Sequence, residues 1–287
     1  MRRKIFTILF ALLFLVGFGI LAYPTISNQW NNYRQSRLIS NYKNITENTD
    51  TEDFDREWER AKEYNDSITV NQPMSADVFS EGGQEDKSSE YWNVLNIAGD
   101  GMMGYLSIPK INVELAIYHG TSDEVLQTGI GHIEGTKLPI GGESNHTVLA
   151  AHRGLPSARL FTDLDQLEEG DEFYIHILDE TLAYQVDQIL PMVDKDDTEA
   201  LSEALAIEDG QDYVTLFTCT PYGVNTHRLL VRGTRVEYHE EETAETPVDT
   251  AKNLLQDYYM FFLIGGVCVT GIVIVVIRIC LNRKRKK

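Results

Sequence analysis

Cysteine is scarce in this chain: three in 287 residues, and two of them, Cys268 and Cys280, lie within or at the edge of a C-terminal apolar stretch. A disulfide inside the polar middle of the chain is thereby excluded, and Cys219 is left as a reduced thiol. It closes the apolar run Tyr213-Val-Thr-Leu-Phe-Thr-Cys219. In an oxidising compartment a reduced thiol is a liability unless it has a chemical role. Positive charge is equally sparse in the middle. Nine of the 25 Lys and Arg sit at the two ends, leaving 16 against all 44 acidic residues, a net of −28 for the intervening region. So acidic a surface excludes binding to nucleic-acid phosphates or to anionic lipid and favours protein or basic partners, besides serving solubility. No internal repeat is visible, and no cluster of His, Cys and carboxylates has metal-ligand spacing, so no metal or other cofactor is expected.

The compartment follows from the two greasy ends. Residues 1–4 carry Arg2, Arg3 and Lys4, and residues 5–22 are nearly uncharged. At about 1.5 Å per residue that stretch covers ~27 Å, close to the hydrocarbon core of a thin bilayer. Ile20-Leu21-Ala22 fits a signal-peptidase site poorly, so an uncleaved anchor is preferred over a signal peptide. Residues 258–281 form a second apolar stretch, opened by Tyr258 and Tyr259 and followed by the basic tail of residues 282–287. Both basic clusters lie on the flank away from the middle. The positive-inside rule then puts both termini in the cytoplasm and residues 23–257 outside.

Within the outer region, residues 23–98 read as helical, with spaced Ile39, Tyr42, Ile45, Phe54, Trp58 and Tyr64 suggesting one or two amphipathic helices after the anchor. Residues 72–90, rich in Ser, Gly and acids, have the composition of a linker or lid. From Gly99 the character changes to short β-type runs. Strands are expected at 104–108, 113–118, 147–151, 172–177, 182–189, 213–218 and 229–236, with one helix at 198–206 capped by Asp197 or Thr198. Many short strands with few helices predict a mainly β domain over residues 99–236, a closed barrel or a sandwich. Residues 237–257 are acidic and read as a tether to the second apolar stretch.

A nucleophilic thiol needs a proton-transfer partner and a cation for oxyanion charge. His152 ends the apolar run Thr147-Val-Leu-Ala-Ala-His152 just before a Gly turn, where barrels place chemistry. Arg228 lies nine residues after Cys219 across a turn-rich loop, so a hairpin would set the two opposite each other and aim the guanidinium at a carbonyl oxygen turning negative. Each residue also has a plainer explanation: an inert buried thiol, a surface imidazole, an arginine paired with a carboxylate. Arg232 shares the strand face of Arg228, and His146 and His227 remain alternatives to His152.

The run Tyr213-Val-Thr-Leu-Phe-Thr-Cys-Thr-Pro-Tyr-Gly-Val-Asn-Thr-His-Arg-Leu-Leu-Val-Arg-Gly233 resembles the Cys-to-Arg signature of sortases, in the form found in class C, the pilus-assembling type. Gly104-Tyr-Leu-Ser-Ile-Pro-Lys-Ile111, Ile117-Tyr-His-Gly120, Gly131-His-Ile-Glu-Gly135, Leu138-Pro-Ile-Gly-Gly-Glu143 and His152-Arg-Gly-Leu-Pro156 extend the resemblance over roughly 99–236. It implies the eight-stranded sortase β-barrel and the catalytic roles of nucleophile for Cys219, general acid/base for His152 and oxyanion stabiliser for Arg228, with no cofactor. Class C sortases also carry an N-terminal lid with an Asp-Pro-aromatic motif. Here the corresponding stretch is Asp77-Val78-Phe79, with Val in place of Pro, which gives up a fixed φ and implies a looser lid. The implied reaction is cleavage of an LPxTG-like sorting signal between Thr and Gly, a thioester intermediate, and transfer to a pilin lysine. Two other activities are weighed beside it: a housekeeping sortase anchoring surface proteins to peptidoglycan, and an inactive membrane-tethered scaffold.

Overall fold

The computed structural model describes residues 2–69, 78–79 and 89–239, together with 266 and 271. The chain forms two compact units, Met1–Ser27 with Ala244–Lys287, and Asn28–Thr243. Helix α1 (Arg2–Glu47) continues through Pro24. The sequence predicts an anchor over 5–22 followed by one or two amphipathic helices; α1 runs on from the anchor through Ile39, Tyr42 and Ile45, and Phe54, Trp58 and Tyr64 lie on a second helix. In its first part Phe6, Leu13, Val16, Ile20 and Leu21 are exposed, and the helix is long and apolar enough to cross a membrane. The second apolar stretch, 258–281, lies outside the described residues apart from Gly266 and Gly271.

In the larger unit the remainder of α1 buries Asn31, Gln35, Ile39 and Tyr42, a spacing that makes one helical face. Its polar members satisfy barrel backbone. The Gln35 side-chain oxygen accepts from Ala116 N at 3.0 Å. Tyr42 Oη donates to Met103 O at 2.8 Å and accepts from Leu178 N at 2.8 Å. Helix α2 (Thr51–Ser67) buries Phe54, Ala61 and Asn65, and the Asn65 amide exchanges hydrogen bonds with both backbone groups of Leu138, at 3.2 and 2.7 Å. Buried polar groups paired in this way fix the helices in one register on the barrel.

Eight strands follow: β1 (Met102–Ile108), β2 (Val113–His119), β3 (Ile130–His132), β4 (Asn145–Ala150), β5 (Glu172–Ile177), β6 (Glu180–Asp194), β7 (Asp212–Thr220) and β8 (His227–Val236). They close into a barrel in the order β1-β2-β3-β4-β7-β8-β6-β5. Of the two all-β architectures expected, closure decides for the barrel, which leaves no sheet edge. Two short helices complete the domain, α3 (Asp123–Leu126) and α4 (Thr198–Ala204). The Asp197 side chain caps α4, accepting from Ala200 N at 3.0 Å, one of the two caps the sequence allows.

All seven expected strands are present, six of them to within two residues at each end; the seventh, β6, extends to Asp194. β3 has no counterpart in the prediction. Three residues are too few for a period-two signal, and β3 holds its place by pairing parallel to β2 and antiparallel to β4. β4 and β7 pair in parallel, from Asn145↔Asp212 to Ala150↔Phe217. Both therefore deliver their C-terminal ends to the same rim.

Candidate active site

β7 is buried along nearly its whole length, which explains why its sequence is a continuous apolar run rather than an alternating one. Val214 and Leu216 join the main barrel core. Phe217, two residues before Cys219, faces the opposite way with Val148, Ala150 and Leu230, in a second cluster roofed by Leu201 and Leu205 and flanked by Val78 and Phe79. The period of two puts Cys219 on the Phe217 face and Arg228 on the Leu230 face. The site lies on this outer, covered side of the sheet.

The β7–β8 hairpin places Cys219 directly opposite Arg228, as the spacing in the sequence predicts. Both are buried, Cys219 at 3% and Arg228 at 1% exposure. Among the described residues Cys219 is in no disulfide. Arg228 Nη1 donates to Asn225 O at 3.0 Å and His227 O at 2.7 Å, so its own loop holds the guanidinium against the thiol-bearing strand. Arg232, indistinguishable from Arg228 by strand parity, is spent otherwise. Its guanidinium pairs with Asp187 at 2.8 Å and Glu208 at 3.2 Å and lies 4.0 Å from the Tyr213 ring centre.

His152 lies two residues past the end of β4, half-buried. Burial pushes its imidazole below the ordinary value, and the nearby Asp123 carboxylate pulls it part of the way back. The rival histidines are tied to structural partners. His146 has Ala206 O at 2.7 Å and Thr215 Oγ1 at 2.8 Å on its two ring nitrogens. His227 Nδ1 bonds the hydroxyl of Thr226 at 2.9 Å. His132, pushed down to about 4 by complete burial, is held by Tyr91 Oη and Lys137 O.

Phe79 brings these parts together. Its ring centre is 5.3 Å from that of His152, it stacks parallel on Phe217 at 5.9 Å, and the Arg228 guanidinium carbon lies 5.3 Å from it. Contacts of this kind contribute about 0.5–1.5 kcal/mol each. The sequence-predicted aromatic of the lid thus touches two of the three candidate residues, whereas Asp77 lies outside the described residues. Sequence reasoning missed Phe217 and Asp123. Phe217 was detectable as the residue two before Cys219 on the same strand face; Asp123 sits 29 positions from His152 with no local signal.

A family model described as Sortase domain matches residues 106–236. Sortase C-1 from Streptococcus pneumoniae is 45% identical, with 71% of this chain and 100% of that chain covered and a TM-score of 0.64. Sortase C1 from Streptococcus agalactiae is 49% identical, with 71% and 100% covered and a TM-score of 0.62. A pilus-related sortase C of Group B Streptococcus is 43% identical, with 69% and 96% covered and a TM-score of 0.61. The chain belongs to the sortase family of transpeptidases. Its close structural matches are class C, pilus-related members from streptococci.

Proposed function

We propose that this sortase polymerises pilins, with Cys219 as nucleophile, His152 as general acid/base and Arg228 as oxyanion stabiliser. The observation that carries the proposal is the pairing of Cys219 with Arg228 across one hairpin, at the rim to which the parallel β4 and β7 also bring His152. The Cys219 thiolate attacks the carbonyl carbon between Thr and Gly of an LPxTG-like signal. Charge grows on the carbonyl oxygen, where the Arg228 guanidinium donates to it. His152, as imidazolium, gives its proton to the departing glycine nitrogen, and the acyl chain stays on sulfur as a thioester. The ε-amine of a lysine on a second pilin then attacks the thioester carbonyl carbon, His152 takes up the proton that the amine gives up, and the thiolate leaves, forming an isopeptide bond and regenerating Cys219. The kinship with pilus-related sortases supports this acceptor over peptidoglycan.

The same proposal places the barrel outside the cytoplasmic membrane. Residues 5–22 and 258–281 are its two spans, 237–257 its tether, and residues 1–4 and 282–287 its cytoplasmic ends. Incubating the full-length chain in detergent with an LPxTG-bearing pilin and a lysine-bearing pilin should give a ladder that survives boiling in detergent. Discrete monomeric pilins after prolonged incubation would exclude polymerase activity.

Phe79, in this account, is a lid side chain that closes the resting site and keeps His152 dry. Phe79→Ala removes the ring, and alkylation of Cys219 should accelerate by about tenfold, the factor that ~1.4 kcal/mol of lost ring contacts gives. The pH profile should move as well. Burial disfavours the charged imidazole, so rehydrating His152 raises its pKa toward ~6.5; because the reaction uses the imidazolium, which is lost as pH rises through that pKa, the alkaline limb of kcat/KM moves up with it. An unchanged alkylation rate and an unmoved limb would show that Phe79 does not cover the site.

A further inference from the structure

The hydrogen-bonded ladder between β4 and β7 stops just short of the two reacting side chains. Its last paired residues are Ala150 and Phe217. One step on, Ala151 N donates to Phe217 O at 3.2 Å and the buried Thr218 hydroxyl donates to Ala151 O at 2.6 Å. These bonds fix the residues immediately before His152 and Cys219. Beyond them the chains diverge, β7 into the hairpin loop and β4 into an irregular segment. On the far side Arg153 connects the two chains again by a hydrogen bond. Its Nη1 donates to Thr220 Oγ1 at 3.2 Å, and Thr220 directly follows Cys219. Its Nε donates to Thr162 O at 3.2 Å, and Nη2 pairs with Asp165. The side chain is 9% exposed although Asp165 is half open to water. His152 and Cys219 are therefore bracketed, by the Ala151–Thr218 bond on one side and the Arg153–Thr220 bond on the other.

We propose that Arg153 is a positioning residue that sets the spacing of His152 from Cys219, an inference that rests on the catalytic assignment above. A guanidinium presents its donors as a rigid planar fork. Held at three points on two segments, Thr162 and Asp165 on one and Thr220 on the other, it fixes the segment leaving His152 relative to the strand bearing Cys219. Proton delivery to a departing nitrogen demands that spacing, and a misplacement of about 1 Å can cost ~10²-fold in rate. Alkylation of the thiol by a small reagent makes no such demand on His152. Lysine keeps the charge and loses the fork.

The test compares Arg153→Lys, Thr220→Val and the double variant in the full-length chain, reading kcat, KM, Cys219 alkylation rate and thermal midpoint. Arg153→Lys should lower kcat 10- to 100-fold (roughly, by the same geometric argument), with KM and alkylation within about threefold of wild type. Thr220→Val removes the acceptor and leaves the other bonds of the fork; it should lower kcat by less, and the double variant should fall no further than Arg153→Lys alone. An unchanged kcat in both single variants overturns the proposal. So does a fall in alkylation parallel to kcat, which would make Arg153 act on the thiol through charge. Cys219→Ala, run alongside, separates the two levels. Full transfer by that variant would sink the catalytic assignment and the bracket with it, whereas loss of transfer there with wild-type kcat in the Arg153 and Thr220 variants would sink the bracket alone.

Discussion

Replacing Cys219 by alanine should abolish acyl transfer while leaving the barrel folded. Cys219 occupies a buried position at the end of β7, held by its pairing with Arg228 rather than by a disulfide. Exchanging its sulfur for hydrogen trims one side chain at the rim of the second apolar cluster and costs about 1 kcal/mol, the usual scale of a single substitution. Catalysis loses its covalent route altogether. Removing the nucleophile of a covalent mechanism costs on the order of 10⁴-fold or more in kcat, and removing further members of the same machinery then adds little. Hence His152→Ala in the Cys219→Ala background should give no additional loss, though each alone is severe. A thermal midpoint within a few degrees of wild type, together with transfer at background, is the expected pair of readings. Retained transfer would mean that another group carries the acyl chain.

Arg228→Lys should cost on the order of 10²–10³ in kcat, the scale for losing a preorganised oxyanion donor. The substitution keeps a positive charge, so the loss isolates geometry. Arg228 reaches the site with Nη1 already donating to Asn225 O and His227 O, and the rest of the guanidinium is thereby oriented. An ammonium on a flexible stem has no such fork, and serving those two carbonyls would take most of its donors. Arg228→Met, apolar and of similar length, should be at least as inactive and also less stable, because the two loop carbonyls lose their donor. Alkylation of Cys219 should survive in the Lys variant. If Arg228→Lys keeps wild-type kcat, the guanidinium is a structural strut for the hairpin loop and the oxyanion is held elsewhere.

Much of this site was legible in the sequence because it is local. The nine-residue spacing of Cys219 and Arg228 requires only a hairpin to become a cross-strand pair, and β7 and β8 form that hairpin. The strands were legible as short β-type runs between turn residues, except at β3, whose three residues carry no period; those runs allowed a barrel or a sandwich, and closure decides between them. What the sequence could not read is non-local charge and packing. The Arg232 guanidinium is engaged by Asp187 and Glu208, from β6 and from the connection before β7. The His146 ring has Ala206 O and Thr215 Oγ1 as partners. Asp123 approaches His152, and Arg153 approaches Thr220, only because β3, β4 and β7 are neighbours in the closed barrel. The Phe79 contacts needed no precise spacing in the chain. The ring is carried on a separate segment and finds Phe217 through stacking.

The most direct measurement is the intact mass of the full-length chain after brief incubation with an LPxTG-like peptide and an acid quench. A covalent intermediate should add the mass of the peptide as far as its threonine, map to Cys219, and be released by hydroxylamine as a thioester is. The adduct should disappear when a lysine-bearing pilin is supplied and be absent from Cys219→Ala. Cleavage of the peptide with no adduct on Cys219, continuing at the same rate in Cys219→Ala, would contradict the account.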